Sequence, residues 1–194
     1  MSGQAREHRS EDTVTLTSDV LLEPDDGSLG PLLRLADDRL APGTGYGRHP
    51  HRAVDVVAVV LAGSLRHAWG SGAVLTAGDV AVLRAGTGLE HDEVAGAGGA
   101  HVLQTHLRSA RPKDDAAHEV HPNADGWVDL GRPDARLWIE TVEDGTSATV
   151  PPGLLVLAGP DGVRVEQQAG GPVSGPATAV VWQLDVTRPA WAGS

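Results

Sequence analysis

Two short motifs place metal-binding side chains two residues apart. They are His49-Pro50-His51 and His91-Asp92-Glu93, and His91 follows His51 by 40 residues. In an extended chain, residues i and i+2 point to the same face, so each motif projects two ligands in one direction. Three imidazole nitrogens and one carboxylate form a donor set for Fe(II), Mn(II), Ni(II), Cu(II) or Zn(II), and not for Ca(II). On an octahedral ion, four protein ligands leave two positions for water, substrate or dioxygen.

The alternative is a chance pattern. A chain with nine histidines contains an H-x-H motif by chance fairly often, and such a pair commonly lies on an exposed strand. Here each motif follows a glycine-rich segment, residues 42–47 before the first and residues 85–88 before the second. Glycine permits the tight, positive-φ turns that aim a following strand inward. The repeated arrangement favours a metal site over chance occurrence.

The rest of the sequence predicts an all-β fold that could bring the two motifs together. Short runs rich in valine, leucine and alanine recur between glycines, prolines and aspartates, for example at residues 54–61, 80–83 and 101–107. This spacing is typical of a β-sandwich or β-barrel. The 25 glycines and 13 prolines are scattered without a period, which argues against long helices. If both motifs line one barrel, their four ligands converge on its interior.

The texture of the sequence divides the chain into four parts. Residues 1–12 are polar and charged, which predicts a disordered arm, and residues 13–108 hold the strand-like runs and both motifs. Residues 109–126 contain two prolines and several charges without an apolar period, so we interpret them as a linker. Residues 127–194 return to short strand-like runs without a ligand pair. We therefore expect a smaller C-terminal β domain without metal.

Composition excludes several classes of function. The chain has no cysteine, which excludes disulfides, thiolate nucleophiles and cysteine-ligated metals. A net charge of −11 with a single lysine argues against direct binding to nucleic acid or to an anionic membrane. The N-terminus lacks a signal-peptide core, and no stretch is long and apolar enough to span a bilayer. We expect a soluble, cytoplasmic protein whose partner is a small molecule or another protein.

A longer series of motifs runs from residue 33 to residue 107. It comprises Asp38-Arg39, Pro42-Gly43, Gly45-Tyr46-Gly47, His49-Pro50-His51-Arg52, Gly63, His67, Gly78-Asp79, residues 85–93 and Leu103-Gln104. In its order and spacing this series resembles the N-terminal domain of the pirin family. The resemblance covers about 75 residues.

The resemblance implies a fold and a ligand set. Pirins are bicupins, so it implies a cupin-type β-barrel (a double-stranded β-helix, or jelly roll) followed by a second β domain, which is shortened here. It implies that the metal ligands are His49, His51, His91 and Glu93. It also implies Fe(II) as the metal, with Mn, Ni, Cu or Zn as alternatives.

Two functions follow from the resemblance. The first is a metal-dependent oxidoreductase of quercetin 2,3-dioxygenase type that acts on a flavonol-like or enediol substrate, with Glu93 as the catalytic base. The second is a non-catalytic, iron-dependent, redox-sensitive regulator that binds a protein partner. Kinship of fold does not choose between them.

Three further residues are candidates for supporting the ligands. Asp55 stands where pirins carry glutamate, and it is either a supporting residue or a rival of Glu93 for the metal. His67 could orient a ligand through a hydrogen bond. His106 replaces an aromatic residue of the family pattern and could place a polar group near the cavity.

The remaining histidines have weaker signals. Strand parity separates His101 from His106, so at most one of them points inward, and we favour His106. His118 and His121 fall in the predicted linker and are expected to be solvated. After His67 the chain continues with Ala68-Trp69-Gly70, which departs from the family pattern.

Overall fold

The computed structural model of the chain describes residues 16–24 and 26–187. Every regular element in these residues is a β-strand, and the two largest sheets have seven and five strands. The predicted all-β class is therefore confirmed, and this part of the chain contains no membrane-crossing helix. The arm predicted at residues 1–12 lies outside the described residues.

The first unit carries both ligand motifs. Its strands are β1 Leu16–Leu22, β2 Leu32–Leu40, β3 His49–His51, β4 Val54–His67, β5 Ala73–Thr76, β6 Val80–Arg84, β7 Leu89–His91, β8 Glu93–Arg108 and β9 Ala117–His121. Seven of them form one antiparallel sheet in the order β1-β2-β8-β4-β6-β9, with β5 paired to β4. The other two, β3 and β7, form a separate antiparallel ladder that holds three of the predicted ligands.

Strands β4 and β8 form the centre of the first sheet. They are 14 and 16 residues long and pair over most of their length. Val57 and Val59 pack toward the second unit, whereas Ala58 and Val60 pack into the interior of the first. Burial on both faces explains why residues 54–61 are almost wholly apolar.

The second unit is smaller. Its strands are β10 Gly126–Val128, β11 Ala135–Val142, β12 Ser147–Val150, β13 Gly153–Gly159, β14 Gly162–Gln168, β15 Gly171–Ser174 and β16 Ala177–Leu184. Five of them form a sheet in the order β10-β11-β16-β13-β14, and β12 pairs with β15. One face of this sheet contributes Leu137, Val156 and Trp182 to an apolar layer shared with the first unit. The other face forms a separate apolar cluster around Trp138 and Leu155.

Part of the segment interpreted as a linker is regular structure. Strand β9 extends the edge of the first sheet by pairing with β6. The chain before β9 lies close to Gly86, whose φ is +49° and where a Cβ would be 2.1 Å from the Asp114 carbonyl oxygen. The linker interpretation does not hold for residues 117–121, because backbone pairing holds this polar strand in place without an apolar period. The boundaries of the domains otherwise stay a prediction.

Candidate metal centre

The β3–β7 ladder brings three of the predicted ligands together. His49 is paired directly with His91, and His51 lies two residues further along the same strand. One nitrogen atom from each imidazole lies within 4.8 Å of the other two, and this group could hold a metal ion. His91 is buried, whereas His49 and His51 are partly exposed. The group of three imidazoles is therefore buried at His91 and accessible to solvent at His49 and His51.

The loop before β3 sets the position of this ladder. Gly45 forms a bridge with Val94 at the start of β8, and the Tyr46 N–H donates to the Glu93 carbonyl oxygen at 3.2 Å. A Cβ at residue 45 would lie 2.4 Å from that oxygen, so this approach requires glycine. The first histidine motif consequently lies beside the start of β8, the strand that begins at Glu93 of the second motif.

A backbone carbonyl group sets the tautomer of His49. The Gly47 carbonyl oxygen lies 2.6 Å from His49 Nδ1, and Gly47 has a φ of +73°. A carbonyl oxygen can only accept, so Nδ1 donates and the lone pair of the neutral ring is at Nε2. That Nε2 lies 3.1 Å from Nε2 of His91. Nitrogens at about 2.1 Å from one ion and roughly at right angles have about this separation.

The electrostatics of the site favour a cation. Burial, opposed in part by Glu93, lowers the pKa of His91 from 6.5 to about 4. Burial and the neighbouring His49 also lower the pKa of His51. The two rings are therefore neutral at pH 7, which is the form that binds metals. Together with the nearby Glu93 carboxylate, the three imidazoles fit a divalent transition metal.

Glu93 lies at the start of β8, fully buried and outside the group of three imidazoles. Its Oε1 is 2.5 Å from His67 Nε2, and its Oε2 accepts a hydrogen bond from Gln104 Nε2 at 2.9 Å. Burial by itself raises the pKa of Glu93. His67 and the other imidazoles lower this pKa by more than burial raises it, so the net shift is downward. The carboxylate is thus ionised at neutral pH. Its part as a fourth ligand stays a prediction.

His67 lies in direct contact with Glu93. It is paired with Glu93 across β4 and β8, and its side chain is buried. Its Nδ1 lies 3.0 Å from Nε2 of His118, and the two rings stack at a centroid distance of 4.9 Å. His118 was expected to be solvated, and that expectation is wrong. The alternation of His118 and Val120 with Glu119 is the period-two signal that could have indicated this strand.

His106 also points to the interior of the first unit. Its Nε2 lies 3.2 Å from the Gln104 side-chain oxygen, and its ring centroid is 5.4 Å from that of His51. Burial lowers its pKa to about 4. His101 projects elsewhere and contacts Asp37. The choice of His106 over His101 from strand parity therefore agrees with the structure.

Asp55 is not brought to the imidazoles. Its carboxylate is buried and binds Arg132 of the second unit, with Oδ2 at 2.9 Å from Nη1. Asp55 has the same strand parity as Val57 and Val59, which pack toward the second unit. Burial raises the pKa of Asp55 although the guanidinium acts in the opposite direction. The residue thus links the two units instead of competing with Glu93.

Tyr46 and Asp38 belong to the motif series, which assigned them no role, and they form a second buried polar group near the centre. The Tyr46 hydroxyl donates to Asp38 Oδ2 at 2.7 Å, and the Tyr46 ring lies edge-on to His49 with centroids 6.3 Å apart. Asp38 also contacts Ser18 of the first strand and is fully buried. Burial raises the pKa of both Asp38 and Tyr46. This group fixes one wall of the loop that carries the first histidine motif.

A cleft of about 600 Å³ lies beside the ladder, where Arg48, Arg66, Trp69 and Glu90 are among its lining residues. Arg48 and Glu90 form an ion pair at 2.9 Å. They alternate with the histidines along the two strands, so they project from the opposite side of the ladder. The ladder therefore lies between these two side chains and its own histidines, whereas His67 is among the residues that line the cleft.

A comparison with protein families identifies the first unit. The sequence model of the Pirin family matches residues 4–107, which is more than half of the chain. The chain belongs to the Pirin family. The resemblance noted in the motifs between residues 33 and 107 is therefore confirmed.

Relatives with curated names match over shorter stretches of the chain. A Zymomonas mobilis protein that carries the provisional name of a quercetin 2,3-dioxygenase is 41% identical over 73 residues, which are 37% of this chain and 31% of the relative. The quercetin 2,3-dioxygenase of Escherichia coli K12 is 36% identical over 59 residues, 29% of this chain and 26% of that protein. Both alignments span less than a third of the relative's own length.

Solved structures match the described fold over nearly the whole chain. The protein GK1651 of Geobacillus kaustophilus has a TM-score of 0.67 at 20% identity, covering 92% of this chain and 93% of its own. The bacterial pirin YhhW of Escherichia coli, in complex with nickel(II), has a TM-score of 0.65 at 17% identity, covering 94% and 95%. These likenesses confirm the predicted cupin-type, two-unit fold.

Proposed function

We propose that the chain is a metal-dependent dioxygenase of quercetin 2,3-dioxygenase type. The proposed substrate is a small molecule with an enediol or flavonol-like group. The observation that carries the proposal is the convergence of three imidazoles, two of them partly exposed, on one point of the β3–β7 ladder. The names of the relatives support the reaction class.

The donor set supports the choice of metal. Imidazole nitrogens with a carboxylate suit Fe(II), and the proposal takes Fe(II) as the resident ion. The nickel(II) bound by the Escherichia coli pirin supports a divalent transition metal in this fold. Mn, Cu and Zn are the other ions that this donor set accepts. A metal held here would supply Lewis acidity toward a substrate hydroxyl group and redox chemistry toward dioxygen.

The residues of the chain have distinct tasks in this proposal. His49, His51, His91 and Glu93 would hold the metal. The ionised carboxylate of Glu93 would also take the proton of the substrate hydroxyl group, because a base must be unprotonated at the working pH. The exposed side of the His49–His51 pair would admit the substrate.

The first test measures metal and oxygen separately. Elemental analysis of freshly purified protein identifies the metal, and an oxygen electrode then follows the Fe(II)-loaded protein with quercetin and with a small enediol. We expect oxygen consumption that depends on the substrate. Loaded protein that consumes no oxygen with either substrate would contradict the dioxygenase and favour a non-catalytic regulator.

Two variants assign the residues. His91→Ala should lower metal affinity by more than about 100-fold, since loss of an outer-shell partner alone costs 10–100-fold. His121→Ala is the matched control, because His121 lies on β9 with Glu119 as its contact at 3.6 Å. Glu93→Gln should reduce metal content, turnover or both, and the two measurements separate ligand from base. If Glu93→Gln leaves both unchanged, the proposed role of Glu93 is wrong.

A further inference from the structure

The cleft beside the β3–β7 ladder is formed by two separate parts of the first unit. The ladder contributes Arg48 and Glu90, which project away from its histidines. The turn at residues 68–72, between β4 and β5, contributes the second part. The Ala68 N–H donates to the Asp92 carbonyl oxygen at 2.8 Å and so ties this turn to the junction of β7 and β8. The cleft volume of about 600 Å³ is in the range of sites for small molecules.

Arg66 lines this cleft and has apolar neighbours in the sheet. It lies exposed on β4, and its cross-strand partners are Val74 on β5 and Val94 on β8. Directly paired residues of antiparallel strands point to the same face, so no carboxylate stands opposite the guanidinium. No ladder partner of Arg66 therefore competes with a bound anion for its five N–H donors.

The lining of the cleft carries positive charge although the protein is acidic. Apart from His67, its ionisable groups are the guanidinium groups of Arg48 and Arg66 and the carboxylate of Glu90. Glu90 is already paired with Arg48. The chain as a whole has a net charge of −11. Because a locally positive cleft attracts anions whatever the net charge of the protein, we expect its occupant to be an anion.

Trp69 and Val74 add apolar surface beside the Arg66 guanidinium. Trp69 is partly exposed in the turn, and Val74 is 66% exposed. An indole ring packs well against another aromatic ring, and the planar fork of a guanidinium matches the two oxygens of a carboxylate. Inorganic phosphate would use the guanidinium and leave the apolar surface uncovered. The turn is also the segment in which Ala68-Trp69-Gly70 departs from the family pattern.

We propose that this cleft is a binding site for a small aromatic carboxylate, whose carboxylate group is held by Arg66 and whose ring lies against Trp69. The site is distinct from the group of three imidazoles, because the ladder residues that line it project from the other side of the β3–β7 ladder. The inference does not rest on the proposed dioxygenase activity.

Two probes of equal shape test the requirement for an anion. Naphthoate carries the carboxylate, whereas naphthamide has the same rings without the charge. Nitrogen-15 NMR of the full chain reports the indole N–H signals of the five tryptophans, and Trp69→Phe identifies the signal of Trp69. We expect naphthoate to shift that signal in a saturable way and to bind about 10-fold more tightly than naphthamide, because charge-assisted hydrogen bonds are the stronger ones. Inorganic phosphate should bind more weakly than naphthoate.

Substitutions of exposed arginines locate the carboxylate. Arg66→Met removes the guanidinium and keeps an unbranched apolar side chain, so naphthoate binding should weaken by about 10-fold while naphthamide binding stays the same. Arg66→Lys keeps the charge without the planar fork and should give an intermediate affinity. Arg164→Met is the matched control, because Arg164 is exposed on β14 of the second unit and does not line the cleft. It should bind naphthoate as the wild type does.

Three results would overturn the inference. The first is equal affinity of the wild type for naphthoate and naphthamide, or for naphthoate and phosphate. The second is an Arg66→Met variant that binds naphthoate as tightly as Arg164→Met does. The third is naphthoate binding that leaves the Trp69 signal in place, since the ligand would then lie elsewhere, for example at the metal centre. A protein that consumes no oxygen but binds naphthoate beside Trp69 would refute the dioxygenase and retain this site.

Discussion

The two units of the chain are both built from β-sheets, but their interiors hold different kinds of side chain. The interior of the first unit contains a row of polar groups beside small residues such as Ala58 and Ala81. The interior of the second contains Trp138, Leu155 and Val181 and is apolar. All nine histidines lie within the first 121 residues. The side chains at inward positions, and not the strands themselves, therefore decide which unit holds clustered imidazoles.

Space explains part of this difference. In the first unit, alanines at inward positions of β4 and β6 leave room for imidazole rings from β3 and β7. In the second unit the indole of Trp138 fills the corresponding side of the sheet. Leu155 and Val181 beside it are fully buried, so the indole packs closely against its neighbours.

The largest expected effect comes from removing a large buried side chain from the interior of the second unit. Trp138→Ala should lower the free energy of unfolding by about 3–5 kcal/mol, because it leaves a large cavity among buried side chains. Metal affinity of the folded protein should stay the same. Trp127→Ala is the matched control, since Trp127 is the cross-strand partner and is 44% exposed. Urea unfolding and metal titration check both statements, and a changed metal affinity would show that the interior of the second unit supports the site in the first.

The next effect concerns the ion pair that joins the units. Arg132→Met should cost about 3 kcal/mol, because it leaves the buried Asp55 carboxylate without its partner. The guanidinium also binds Asp134 and the Arg108 carbonyl oxygen, so these groups lose a donor as well. Arg136→Met is the control, because its guanidinium lies on the exposed Trp127 ring. A loss for Arg132→Met no greater than that of the control would contradict this view.

The smallest expected effect is a loss of stability at low pH that arises from two histidines of the first unit. Burial lowers the pKa of His106 and of His118 to about 4. Above their ordinary pKa of 6.5, these groups are neutral in both folded and unfolded chains. Between pH 6.5 and 4 the unfolded chain takes up protons that the folded chain excludes, so stability falls as pH falls.

Raised pKa values of Asp38 and Asp55 act in the opposite direction, so the measurement is a difference. The metal-free wild type should lose more stability between pH 7 and pH 5 than the His106→Gln/His118→Gln double variant. Urea unfolding at both pH values checks this. Equal losses would show that the two rings do not carry the acid sensitivity.

Patterns local in the sequence predicted much of the fold and of the site. The alternation in the two ligand motifs placed His49, His51 and His91 on one side of paired strands, because side-chain direction in a strand depends on parity alone. The partner of Asp55 could not be predicted in this way. Arg132 follows it by 77 residues, and no local pattern reports such a contact.

His118 marks the other limit. Its strand is short and polar, and it is ordered by backbone pairing with β6 and by the ring of His67. Apolar periodicity, the main sequence signal for a strand, is weak there. The pairing of β9 with β6 at the edge of the first sheet is what brings His118 next to His67.

The apolar layer between the units gives the molecule a thermodynamic property. Val57, Val59 and Leu103 on one side and Leu137, Val156 and Trp182 on the other form a single core, so neither sheet can melt without exposing the other. An ion that binds the imidazoles only in the folded chain would shift the unfolding equilibrium of both units toward the native state. The second unit, which holds none of the three clustered imidazoles, would thereby share in the heat resistance that the ion confers on the first.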